Sequence, residues 1–256
     1  MSALGVRDEG PVRVLTLSRP PGNALNLAML SSLREAAESA ASDARVRALV
    51  VESSVDGYFS SGIDLEELMD LPEAGRAAPF EALLAAYRAL LACPKPTVAA
   101  ISGTAFLGGW IIAMACDWRL LAAGSKIALS EIRAGLTPTS GLIARLSALS
   151  SDPRAVKEMV LRGKPLSAAD ALSASLVDEL LPAAEVAPAA LALARRAAKS
   201  APGAFADIKR ALNAAASDEA LWRRSLQEFS LTFARAEAQE GVAALRAKRR
   251  PRWEGA

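Results

Sequence analysis

Apolar and polar positions alternate with period two along Val12–Leu17, which predicts a strand. Leu27 to Asp43 changes period. Met29, Leu30, Leu33, Ala36, Ala37, Ala40 and Ala44 recur at helical spacing, so a helix follows a turn over RPPGNALN, residues 19–26. Val46 to Val51 reads as a second strand, and strand–helix–strand predicts a right-handed parallel crossover. YFSSGIDL, residues 58–65, is a small-residue bend feeding a short helix from Ile63 onward, and Leu71 to Pro79 reads as a loop or mobile flap. Phe80 to Ala92 is helical, and Thr97 to Ile101 is a buried strand broken at Gly103. Leu107, Gly108 and Gly109 then lead into an apolar helix to Cys116.

Lys126 to Glu131, KIALSE, reads as a strand with Ile127, Leu129 and Glu131 on one apolar face. Residues 132–141 form a loop, and helices are expected over 142–149, 153–161 and 167–176, the last with Ser167 as N-cap. A short strand covers 177–181. Beyond Ala183 the alternation stops, and 183–199, 203–216 and 218–247 all read helical. Trp222, Leu226, Phe229 and Phe233 form a stripe that either packs on its own chain or meets another subunit.

Composition narrows the chemistry. The 256 residues are 52% hydrophobic and carry a net charge of +2, enough for one large core and no strong pull toward nucleic acid or anionic membrane. The basic tail KRRPRWEGA reads as a solvated run. Pro96 to Cys116 lacks charge, but its three glycines, Ser102 and two threonines fit a strand, turn and helix better than a membrane span. With no long apolar leader, a soluble cytoplasmic protein is expected. There is no histidine and there are only two cysteines. Ser–His–Asp and Cys–His systems and histidine metal sites are therefore excluded, and proton transfer falls to Glu, Asp, Lys, Tyr or Cys. No Walker loop or dinucleotide fingerprint is present.

Two glycine-led helix entries, near residues 62 and 108, can each present backbone N–H groups to one oxygen. Glu131, on an apolar face, is the candidate base. Asp64 by itself reads as a helix cap or ion-pair partner.

In order and at these spacings, RPPGNALN, YFSSGIDL, PTVAAISGTAFLGG, CDWRLLAAGSKIALSE and KPLSAADALSASLVDELLP resemble the enoyl-CoA hydratase/isomerase (crotonase) superfamily. The resemblance implies an α/β fold, a ββα spiral acyl-CoA-binding core over 1–195, with a helical trimerisation region over 196–256. It implies homotrimers or hexamers, and an acyl-CoA or acyl-carrier-protein thioester substrate without metal or redox cofactor. It places the oxyanion donors on Ile63 and Gly108 and the general base on Glu131. Substrate contacts would fall on Gly22, Ala24, Ser61, Gly62, Asp64, Leu65 and Thr104. Family hydratases carry a first glutamate where this chain has Ile111. That departure, with the motif wording, points to a Δ3,Δ2-enoyl-CoA isomerase; the alternatives are hydration, decarboxylation or isomerisation of a carrier-protein thioester, or a non-catalytic binder of acyl-CoA or RNA.

Overall fold

The computed structural model describes residues 3–72 and 75–253. Twelve strands and eleven α-helices are found among them, in chain order: β1 (Leu4–Glu9), β2 (Val12–Leu17), β3 (Ala24–Leu25), α1 (Leu27–Ser42), β4 (Ala48–Ser53), β5 (Tyr58–Ser60), β6 (Gly62–Ile63), α2 (Leu65–Asp70), α3 (Ala78–Ala92), β7 (Thr97–Ile101), β8 (Thr104–Phe106), α4 (Gly108–Ala115), β9 (Trp118–Ala122), β10 (Lys126–Ala128), α5 (Ser140–Leu149), α6 (Pro153–Arg162), β11 (Leu166–Ser167), α7 (Ala168–Ser173), β12 (Glu179–Leu181), α8 (Ala183–Ala197), α9 (Pro202–Leu212), α10 (Glu219–Phe233) and α11 (Ala236–Arg246).

The strands divide between a large sheet, ordered β1-β2-β4-β7-β9-β12, and a small one, ordered β11-β10-β8-β5, with β3 and β6 pairing separately. The chain climbs by repetition. Each turn gives one strand to the large sheet and a short one beside it, then a helix: β2, β3, α1; β4, β5, α2–α3; β7, β8, α4; β9, β10, α5. This is the ββα spiral. From β2 to β12 the large sheet is parallel, as strand–helix–strand order requires.

Period-two alternation sorts the large sheet's faces. Val12, Val14, Ala48, Val50, Val98, Ala100 and Leu120 pack under α8, whose Val186, Ala190 and Ala194 lie one helical turn apart. Small alanines let that helix approach closely. Leu15, Leu17, Leu49, Val51, Ala99, Ile101 and Leu121 turn the other way into the main core, where α1, α3 and α4 cover them.

Several boundaries differ from the expectations. The hairpin partner β1 was not anticipated: its exposed residues between Leu4 and Glu9 dilute the apolar signal, and Gly10, at φ 66°, makes the turn. Sequence also misses the two- and three-residue strands β3, β5, β6, β8 and β11, too short to show a period. The 218–247 segment is two helices, α10 and α11. The 203–216 helix ends at Leu212, ahead of a 3-10 turn at Ala215–Ser217. The strand expected through Glu131 stops at Ala128, and Glu131 instead opens a 3-10 turn, Glu131–Ala134, closed by Gly135 at φ 66°. Strand parity therefore does not place Glu131, since the neighbours Ala128 and Leu129 are both buried. Within the proposed flap, residues 73–74 lie outside the described part.

The apolar stripe is settled as an internal contact. Phe229 stacks on Phe80 of α3 with centroids 4.0 Å apart, and Trp222 tilts against Tyr87 at 5.1 Å. A buried ion pair ties α9 to the sheet. Lys209 Nζ reaches Asp117 at 2.8 Å, Thr97 Oγ1 at 3.2 Å and the Lys95 carbonyl at 3.1 Å. Among the described residues, no helix is long and apolar enough to cross a membrane.

Candidate active site

The small sheet gathers three chain segments at one edge. Strands β5, β8 and β10 are adjacent and parallel, with Ser60 beside Ala105, Ala105 beside Ile127 and Phe106 beside Ala128. All three chains therefore leave at the same end. Ile63 lies three residues past Ser60, Gly108 two past Phe106, and Glu131 three past Ala128. At a strand's rise, three residues span at most about 10 Å, so each stays near that edge. The Leu107 N–H donates to the Ala128 carbonyl at 2.8 Å and binds two of the exits together.

The first two exits touch. A Cβ built on Gly108 would lie 3.3 Å from the Ile63 nitrogen, and one built on Gly62 would lie 3.2 Å from the Gly108 nitrogen. The Ile63 and Gly108 N–H groups, on the two glycine-led segments, thus come from two spiral turns and meet at one place, although Ile63 ends β6 and does not open the helix expected there. Both are free to point outward. Gly108 opens α4, so its N–H has no carbonyl within its own helix. In the β3–β6 ladder the Asp64 N–H goes to the Leu25 carbonyl at 3.0 Å, and alternation leaves the intervening Ile63 N–H facing away from β3. Leu107 holds the left-handed φ of 50° that turns the chain into α4, an unusual backbone state for a branched side chain.

Around the first donor the two expected binding segments are zipped together. The Ser61 N–H donates to the Gly22 carbonyl at 2.9 Å, and Ala24 pairs with Gly62. Asp64 is the N-cap of α2: it accepts from the Glu66 and Glu67 N–H groups at 3.0 and 3.1 Å and pairs with Arg19 at 2.5 Å. Its carboxylate is already engaged, which fits a cap and ion-pair role. Leu65 begins α2, half-buried. Thr104 begins β8, paired with Tyr58, at the opposite end of that strand from Gly108.

Glu131 is the ionisable group that stands out. Its Oε2 is buried with no hydrogen-bond partner. Burial pushes its pKa from 4.5 up to about 7, opposed only by its own backbone N–H. Glu131 as a residue is half-buried and its Oε2 is the enclosed atom; desolvation raises the carboxyl, with no charged neighbour contributing. Ile111, one turn into α4, is 2% exposed within the apolar core.

Sequence reasoning missed two supports of this geometry. Asn23 is fully buried at a positive φ of 48°. Its Nδ2 reaches Leu17 O, Ser53 Oγ and Phe59 O, while its Oδ1 accepts from the Arg19 N–H. The asparagine in RPPGNALN was the available signal, since asparagine tolerates the left-handed region. The other is Ser60, taken only as part of a bend. Two surface clefts lie elsewhere. One of about 470 Å³ borders Arg34, Arg88 and Trp222, and another of about 510 Å³ borders Glu237, Arg249 and Trp253. Neither holds a buried carboxyl, so volume alone does not locate the chemistry.

The enoyl-CoA hydratase/isomerase family model matches residues 7–256. The chain belongs to the enoyl-CoA hydratase/isomerase family. It is 32% identical to a probable enoyl-CoA hydratase of Bacillus subtilis (strain 168), covering all of both chains. Among solved structures it is similar to a carnitinyl-CoA hydratase from Mycobacterium avium, at 31% identity, 99% coverage of both chains and a TM-score of 0.86. It is also similar to human mitochondrial delta3-delta2-enoyl-CoA isomerase, at 25% identity, 96% and 97% coverage and a TM-score of 0.89. Within this fold, Ile63, Gly108 and Glu131 all follow strands that leave the small sheet at one end.

Proposed function

We propose that this protein is an enoyl-CoA isomerase that moves a double bond from C3 to C2 of an acyl thioester. Ile63 and Gly108 N–H groups hold the thioester oxygen and stabilise the dienolate formed when a C2 proton leaves. Glu131 takes that proton and returns it at C4, acting first as base and then as acid. A pKa near 7 suits both halves of such a shuttle, because neither protonation state is costly at neutral pH. The chemistry asks for no metal or redox cofactor. Homotrimers or dimers of trimers are the assembly this reading carries with it.

The carrying observation is that Glu131 holds the one unpartnered buried carboxyl oxygen among the described residues, Asp64 being engaged with its helix cap and Arg19. Hydration needs one group to activate water and a second to manage the other proton, and Ile111 offers neither. A second reading is hydration, supported by the names of the bacterial relatives. Incubation with a 3-enoyl-CoA and with its 2-enoyl isomer separates the two. Isomerisation forms a conjugated thioester without change of mass. A product heavier by one water, formed faster than the conjugated isomer, overturns the proposal, and loss of carbon dioxide from a malonyl-type thioester would move it to decarboxylation.

A further inference from the structure

Ser60 lies outside the donor pair but touches both halves of it. Its side chain is fully buried. Its Oγ accepts the Gly62 N–H at 3.1 Å and donates to the Asn23 carbonyl at 2.7 Å. On the other side, a Cβ built on Gly109 would lie 2.6 Å from Ser60 O and 2.7 Å from Ser60 Cβ. Only glycine at 109 lets the two segments approach this closely.

The consequence for the donors is geometric. The Ile63 N–H belongs to the peptide between residues 62 and 63. That peptide is flanked by two anchors: the Gly62 N–H on Ser60 Oγ, and the Asp64 N–H on the Leu25 carbonyl. Between them stands Gly62 at φ 103°, a position with wide rotational freedom. Remove the first anchor and the intervening peptide can tilt. Ser60 is itself held by Asn23, whose side chain is tied to Leu17, Ser53 and Phe59. The chain of support runs Asn23, Ser60, Gly62, Ile63, with Gly109 packed against it.

We infer that Ser60 is a positioning residue that sets the aim of the Ile63 N–H and its spacing from the Gly108 N–H. The inference rests on the reading that these two groups hold the thioester oxygen. It adds a side chain that touches no substrate yet tunes how strongly the carbonyl is polarised.

The test uses full-length protein and crotonyl-CoA labelled with carbon-13 at the thioester carbonyl, followed by infrared difference spectroscopy. Glu131→Gln serves as the non-reacting background. The carbonyl band should move to lower frequency on binding. Ser60→Ala in that background should lose a large part of the shift. In the Glu131 enzyme, Ser60→Ala should lower kcat about 10-fold while KM changes less than about 2-fold, since a mis-aimed donor acts mainly in the transition state. Ser60→Cys keeps the volume and a weak acceptor, and should fall between; it carries the test if the alanine variant does not fold. No band shift in the background protein overturns the donor reading itself. A normal shift in that protein, retained in full by both Ser60 variants with unchanged kcat, overturns the role of Ser60 alone.

Discussion

Replacing Glu131 by glutamine tests the central argument in two independent ways. The side chain keeps its volume but loses its charge and proton. A rise from 4.5 to about 7 corresponds to about 3 kcal/mol of disfavoured ionisation, at 1.36 kcal/mol per pKa unit. The native state holds the proton more tightly than the unfolded chain. Stability is therefore greatest below pH 4.5 and falls as pH rises to about 7, where the carboxyl ionises in the folded protein. Glu131→Gln removes that fall. Urea denaturation should show the variant more stable than the parent by about 1–3 kcal/mol at pH 8, the lower end allowing for the buried amide it introduces. The difference should shrink toward zero or reverse at pH 5. Turnover should drop by at least about 10²-fold, the usual scale for a general base. In the parent, kcat/KM should rise with pH and level off above about 7. A profile that levels off near pH 4.5, with a stability difference independent of pH, would refute the claim that desolvation sets this carboxyl.

Two further outcomes are expected. Gly109→Ala would drive a methyl against the Ser60 backbone, so it should lower kcat more than it raises KM and reduce Tm; steady-state kinetics and a thermal melt check both. Lys209→Met should destabilise the protein by about 3 kcal/mol or more, read by urea denaturation, because it strands Asp117 without its buried cation.

The sequence exposed the main scaffold because its long strands and helices carry clean periods. Val12–Leu17 and Leu27–Ser42 emerged close to their observed bounds for that reason. The short strands did not, since β3 and β6 have two residues each and exist through pairing with each other. Gly108 and Gly62 were legible as backbone that must approach something closely. Their mutual contact was not, because 45 intervening residues and two sheets decide it. Glu131 was singled out on a strand parity that does not hold. Its burial comes from the 3-10 turn and from elements distant in sequence, which local pattern cannot report. Leu107's left-handed backbone had no signal at all, leucine being among the residues least expected there.

The α3–α10 packing has a consequence for synthesis on the ribosome. Every residue assigned to the chemistry lies before position 132, yet Phe80 is covered by Phe229, and the Ser140 N–H at the start of α5 is met by Glu228 Oε2 at 2.6 Å. A nascent chain that has made the reacting groups still lacks α10, which packs on α3 and the start of α5, and α11, whose Glu237 and Gly241 pack against the turn that carries Glu131. Turnover should therefore begin only after the last helices have left the exit tunnel, and a message truncated shortly before codon 219 should yield a polypeptide that contains every reacting group and remains inactive.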